Sequence, residues 1–130
     1  VTDLRDLPDE ELLVGDVLND VPWSPITPPN LASKMPCRVI YKLGGTAVHP
    51  QFMDKPTIHI VSYAGTYDAA KALAETARVR LWNARRAQTR FEHGVIHRVV
   101  ESLSPFHPRT GTEPDGVFRF DQTHQVWTRP

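Results

Sequence analysis

The spacing of apolar residues along the chain changes period several times, and each change marks a predicted element. Pro8 followed by Asp9, Glu10 and Glu11 opens a helix, since proline suits the first turn and carboxylates complement the positive end of the helix dipole. Leu12, Leu13, Val17, Leu18 and Val21 supply its apolar side. Gly15 weakens its centre by about 1 kcal/mol relative to alanine. Pro22, Pro25, Pro28 and Pro29 then rule out helix interior or central strand, so the stretch from Pro22 to Pro36 is expected to cross the surface as an extended arm. From Arg38 the period falls to two. Val39, Tyr41 and Leu43 lie on one side and Arg38, Ile40 and Lys42 on the other, the pattern of a half-buried strand that Gly44 and Gly45 end.

After a loop through Pro50 and Pro56, Thr57–Ala64 reads TIHIVSYA, apolar on both faces, as in a central strand. Thr66 is placed to cap a helix whose stripe runs through Ala70, Leu73, Ala74, Ala77 and Leu81, with Lys71, Glu75 and Arg78 facing away. The alanines permit close approach to a sheet, and Trp82 is expected to anchor the helix end. Past Asn83 the segment ARRAQTR has little apolar content, and the helix is expected to stop near Leu81. Val95–Leu103 and Val117–Trp127 read as strands joined through a turn-rich run, SPFHPRTGTEPDG, into a long hairpin with Phe118, Phe120 and Val126 on one face. The pattern predicts an α+β fold: a mixed, mainly antiparallel β-sheet with α-helices packed on one face. Residues 1–36 form an N-terminal helix and proline-rich arm, and residues 37–130 an α+β core with a C-terminal β-hairpin, a single domain overall.

Composition narrows the function. At 130 residues, roughly two-thirds of the unfolded surface is buried on folding, enough for a core without disulfide or metal staples. Fifteen Lys plus Arg balance fifteen Asp plus Glu, so the whole-molecule field disfavours a bulk polyanion binder. The single cysteine, Cys37, excludes an intramolecular disulfide and fits a reducing compartment. No signal-peptide pattern opens the sequence and no apolar run approaches a membrane span, so a soluble, non-secreted protein is expected. The charges are nevertheless polarised. Asp3, Asp6, Asp9, Glu10, Glu11, Asp16 and Asp20 crowd the first twenty residues, whereas Lys71, Arg78, Arg80, Arg85, Arg86, Arg90 and Arg98 dominate the middle. The two regions can pair within one chain or between copies.

No catalytic signature emerges, and no cofactor or metal is expected. His93 and His97 stand four apart, but Gly94, Val95 and Ile96 between them read as a strand entrance, and two histidines do not complete a zinc shell. His59 reads as a satisfied core or interface histidine. Gly44, Gly45 and Thr46 lack the rest of a phosphate-binding loop, and Cys37 beside Pro36 reads as a small buried apolar group. The stretch VRLWNARRAQTR, with arginines beside an aromatic, leaves a small nucleic-acid-binding module using Arg78 to Arg90 as an alternative.

The stretch RVIYKLGGTAVHPQFMDKPTIHIVSYAGTYDAAKALAETARVRLW resembles the tail terminator proteins of long-tailed bacteriophages, particularly those infecting actinobacteria. The resemblance lies in an arginine-led strand closed by a double glycine, then Asp54, Lys55 and Pro56 introducing a strand, then Tyr63 to Tyr67 turning into an alanine-rich helix. The closing hairpin from Val95 to Trp127 fits it as well. It implies a non-enzymatic virion protein, assembled in the host cytoplasm and placed at the head-proximal end of the tail. There it would cap the tail tube, stop its polymerisation and form the tail-side interface to the head connector. Implied partners are further copies of the chain in a hexameric ring, the tail tube protein, the head-to-tail connector protein, and genomic DNA passing through the channel without specific binding. A neighbouring neck or head-completion connector is the nearest alternative. For a head-to-tail contact closing such a ring, Asp9, Glu10 and Glu11 are expected to face Arg78, Arg85, Arg86 and Arg90 across the subunit or partner interface.

Overall fold

The strand expected at Thr57–Ala64 is the longer β3, Met53–Ala64, and it does lie inside the sheet, between two long antiparallel neighbours. The computed structural model describes residues 9–49, 53–108 and 116–129. Within them α1 (Glu10–Val17), β1 (Trp23–Ser24), α2 (Leu31–Lys34) and β2 (Cys37–His49) precede β3, and α3 (Tyr67–Ala87), β4 (Arg90–Phe91), β5 (Gly94–Phe106) and β6 (Phe118–Arg129) follow. The six strands form one curled sheet in the order β1-β2-β3-β6-β5-β4, with only the β1–β2 pair parallel. The fold is therefore α+β with a mixed, mainly antiparallel sheet. The expected hairpin is β5–β6; the GTEPDG turn lies outside the described residues apart from Gly116, as do Pro8, Asp3 and Asp6.

The main core lies between the sheet and two helices. Leu13, Val14, Val17 and Leu18 of the α1 segment meet Ile40, Ile58, Ile60, Ile96, Val99 and Val126 from four strands, and Ala77, Leu81 and Ala84 of α3. Asp9 is the N-cap of α1, accepting the Leu12 amide at 3.1 Å, and Leu12 points outward while Val14 takes the buried place. A smaller cluster of Cys37, Val39, Val61, Tyr63 and Val117 sits on the opposite face, where Leu31 of α2 and Met35 cover it. The proline-rich arm thus carries a two-residue strand and one helical turn, and it closes the end of the second face. It is not a plain extended crossing.

Three local expectations change for physical reasons. Gly44 and Gly45 do not end β2. The strand runs on to His49 through register shifts at Lys42/Gly44 and Ala47/His49, and Gly44 absorbs the first at φ 142°, a value that disfavours any side chain. Pro56 is likewise inside β3, opposite Gly45. The helix from Thr66, whose hydroxyl accepts the Ala69 amide at 3.1 Å, does not stop near Leu81 but continues to Ala87. Ala84 prolongs the buried stripe by one turn, and the intervening arginines and alanines are strong helix formers. Trp82, expected to anchor the helix end, is one position past the buried Leu81 and 51% exposed.

Gly15 has a purpose that its helix propensity hides. A Cβ built there would overlap the Trp23 indole, which packs against the main core from the arm. Gly15→Ala should lower the unfolding free energy by about 1–2 kcal/mol in urea denaturation, because overpacking costs ~1–3 kcal/mol and exceeds the ~1 kcal/mol gained in helix propensity. A stabilised variant would show that the indole yields at no cost.

Candidate functional site

Among the described residues, the acidic and basic regions meet inside one chain. Glu10 is buried and reaches the Lys42 ammonium at 3.2 Å, and Glu11 accepts the Lys42 backbone amide at 3.0 Å. Asp16 holds His93 at 2.8 Å, and this hydrogen bond raises the His93 pKa above the ordinary histidine value. Asp20 pairs with Arg38 and lies 3.7 Å from Arg80, which also donates to the Val17 carbonyl at 2.8 Å and to Asn19 at 2.9 Å. Partial burial works against the Asp20 carboxylate, yet the Arg38 and Arg80 guanidinium groups hold its pKa below the usual value. Intramolecular pairing therefore engages Glu10, Glu11, Asp16 and Asp20, while Asp9 caps the helix.

The basic side divides differently. Arg78 is bound to Glu101 at 2.8 Å across the groove to β5 and stands 3.5 Å from Glu75 on its own helix. Arg85 and Arg86 are exposed in the last turn of α3, where they suit the negative dipole end, and Arg85 lies over the Trp82 ring at 5.6 Å. Arg90 is exposed on β4. Gln88 closes the helix in the left-handed conformation, and its side-chain amide donates to the carbonyls of Arg85, Ile96 and His97, fixing this basic end against β5. Arg85 and Arg86 form an exposed basic tip, while Glu10 is buried beside Lys42.

On the second sheet face His59 lies between Thr123 (Nδ1 to Oγ1, 3.0 Å) and Asp121 (Nε2 to Oδ2, 3.0 Å), with Tyr41 at 5.1 Å. Arg119 adds two bonds to the same carboxylate, at 2.9 and 2.6 Å. Burial opposes the Asp121 charge, but His59 and Arg119 hold its pKa below the ordinary value. The order Asp–His–Thr imitates a nucleophile relay, yet Thr123 is buried at the centre of β6, out of reach of a substrate carbonyl. The cluster locks β3 to β6, and His59 is satisfied as expected. The Cys37 thiol is buried and its pKa is pushed up, the opposite of an activated nucleophile. His97 is exposed while His93 turns to Asp16, and the described residues contain no cluster suited to a metal ion.

Sequence reasoning missed the polar row on the helix side of β6. Gln122 and His124 are buried beneath α3, on the same face as Phe120 and Val126. The Gln122 amide donates to the Ala74 carbonyl at 2.9 Å, so its oxygen faces the His124 Nε2 at 2.7 Å. That oxygen can only accept, which places the imidazole proton on Nε2. Burial pushes the His124 pKa down to about 4, with Glu101 and Arg78 acting in opposite directions on it. His124 forms the floor of a groove of about 460 Å³ between α3 and β5, lined by Glu75, Arg78, Val79, Trp82, Val99 and Glu101. The signal was present in the alternation through Phe118, Phe120 and Val126, which carries Gln122 and His124 onto the same face.

Among the described residues, both sheet edges are largely uncovered. β1 pairs only with Arg38 and Val39 of β2, and β4 only with Gly94 and Val95 of β5. Glu11 and Gln88 occupy the next edge groups, leaving β2 from Leu43 and β5 from Arg98 without a neighbouring strand among the described residues. Val100, Leu103 and Phe106 stand exposed along the β5 edge. No protein-family model matches the chain, and the search of curated proteins finds no match.

Proposed function

We propose that the protein is a structural virion component, a tail terminator that assembles as a ring, caps the tail tube and presents a surface to the head connector. The observation that carries this reading is that, among the described residues, the two opposite edges of one sheet have little strand cover. An uncovered strand is a template for another chain, and soluble monomers usually blunt it. Joining the β2 edge of one copy to the β5 edge of the next is a heterologous contact, which repeats and closes into a ring where the rotation permits. The arginine-led strand, the double glycine and the alanine-rich helix that resemble tail terminators add the biological setting. The exposed tip of Arg85 and Arg86 supplies a second contact for a neighbouring copy, the tube or the connector.

Native mass spectrometry of the chain, with and without its tail tube protein, tests the proposal. A species of about 88 kDa, six copies of the 14.7 kDa chain, is the expected product. Leu103→Lys puts a charge on an exposed edge position and should abolish that species while the monomer stays folded. Arg85→Glu with Arg86→Glu should weaken assembly through the basic tip, at a monomer cost of about 0.3–1 kcal/mol per residue from the reversed helix-end charge. A chain that remains monomeric and also ignores the tube would overturn the terminator reading.

A further inference from the structure

The zero net charge of the chain hides a separation of charge between the two sheet faces. The acidic helices α1 and α3 pack on one face, and Glu101 of β5 lines the groove beneath α3 on that same side. On the second face, among the described strand side chains, Asp121 is the one carboxylate, and His59 and Arg119 engage it. Cations gather at one end of this face, away from the end that α2 covers. Trp127 of β6 stands between the buried Val126 and Thr128 and so points to the second face. Arg98 of β5 is its cross-strand partner and lies over the indole at 5.0 Å, and Lys55 of β3, on the other side of β6, lies over the same ring at 5.5 Å. Two residues further along β6, Arg129 shares the side of Trp127 and pairs with Val95, whose partner on β4 is Arg90. Arg90, Arg98 and Arg129 are exposed. Two successive cross-strand rows thus hold four cations from four adjacent strands, set by the sheet at about 4.8 Å from strand to strand and about 7 Å from row to row.

We infer that this corner of the sheet, built from Lys55, Arg90, Arg98 and Arg129 around Trp127, is a docking surface for the phosphate backbone of a nucleic-acid duplex, contacted without reading its base sequence. Charge complementarity selects the occupant, since a regular array of cations is matched by a regular array of anions, and a duplex carries one negative charge per about 1.7 Å of its axis. Trp127 decides between duplex and single strand. Single-strand binders offer aromatic rings to successive bases, whereas this indole is already engaged by Arg98 and Lys55, which it steadies as phosphate-contacting groups. The surface is distinct from the sheet edges that carry the ring reading.

The test is fluorescence anisotropy of a labelled DNA duplex of about 20 base pairs, titrated with the full chain between about 50 and 200 mM salt. Binding should saturate, be indifferent to base sequence, and weaken with salt with a log–log slope of about −3 to −4, as contact of four cations with phosphates requires. Arg98→Gln and Arg129→Gln, both at exposed positions, should each lower the affinity roughly tenfold, the loss of one charge-assisted hydrogen bond, and should reduce the slope by about one. Lys71→Gln removes an exposed cation from α3, on the other side of the sheet, and should leave affinity and slope unchanged. Urea unfolding checks that all three variants are folded. The absence of saturable binding, binding without salt dependence, or an equal loss for Lys71→Gln would overturn the inference. A single strand of the same length binding more tightly than the duplex would overturn the assignment to a duplex, and polyglutamate binding as tightly as DNA would overturn the assignment to nucleic acid. The monomeric chain suffices for every arm, so failure here and failure of ring assembly are read separately.

Discussion

Arg38→Met is expected to cost about 3–5 kcal/mol of unfolding free energy, the usual penalty for breaking a buried ion pair by removing one partner. Arg38 is 0% exposed, the largest side chain in the interior, and joins three elements. Its guanidinium donates to the Leu18 carbonyl at 3.2 Å just past α1, to the Leu73 carbonyl at 3.0 Å in α3, and to both carboxylate oxygens of Asp20, one of them at 3.2 Å. Removing it leaves the buried Leu18 carbonyl and the half-buried Leu73 carbonyl short of a donor, and a carboxylate facing an apolar side chain. Asp20 is itself partly exposed and can turn to water, so Asp20→Asn should cost less, about 1–3 kcal/mol. The pair as a whole is another matter. Replacing both partners by apolar residues often recovers stability, so Arg38→Met with Asp20→Leu should be no worse than Arg38→Met alone. Urea unfolding of the three variants decides it; a loss below 1 kcal/mol for Arg38→Met would show that the guanidinium only breaks even against its own desolvation.

Arg38 also shows where sequence pattern stopped being informative. Alternation grouped it with Ile40 and Lys42, correctly, but an arginine in that group reads as a solvent side, and the side in fact faces the helices. What reverses it is compensation by Asp20 and by two backbone carbonyls, of which Leu73 lies 35 positions away. No local window contains that information. Gly15 and Trp23 present the same problem, because a glycine that permits a close approach looks, within its own helix, like a simple weakness. The long elements were legible for the converse reason. β3, the β5–β6 hairpin and the Thr66-capped helix each carry their signal in consecutive residues, through alternation, a stripe of alanines or a cap. Apolar content does not mark the end of α3, because a helix lying on a sheet needs only one small residue per turn, and Ala84 provides it. As for the contact residues, the polarised charge was visible in the sequence; within the chain Asp20 reaches Arg80 and Asp16 reaches His93, whereas Glu10 and Glu11 turn to Lys42, outside the basic stretch. Arg85 and Arg86 are exposed in the last turn of α3, where their charge suits the negative dipole end.

Acidification from pH 7 to pH 4 is expected to remove about 3 kcal/mol of stability through His124 alone, at 1.36 kcal/mol per pH unit of displaced pKa. In the unfolded chain this histidine takes up a proton near pH 6.5, while in the fold burial delays protonation to about pH 4. Between those values the unfolded state binds the extra proton, so stability falls as pH falls and levels off below pH 4. The groups facing His124 set the shape of the curve. Glu101 favours its charge and Arg78 disfavours it, both against the larger effect of burial. His93 acts in the opposite sense. Its raised pKa contributes stability below the ordinary histidine value and loses it as pH rises through the folded value, so it partly offsets His124. Asp20 and Asp121, with depressed values, contribute stability above the ordinary carboxylate pKa and lose it only as pH falls through their folded values, at the lower margin of the window. His124→Phe isolates the dominant component. It removes the titrating group from beneath α3, leaving the Gln122 oxygen unpaired at every pH, so the variant should start less stable at pH 7 and show a much flatter decline toward pH 4. Urea unfolding of both proteins at pH 7, 5.5 and 4 gives the comparison. Parallel pH profiles would mean that His124 takes up its proton at the same pH in the fold as in the unfolded chain, so that burial beneath α3 does not hold it neutral.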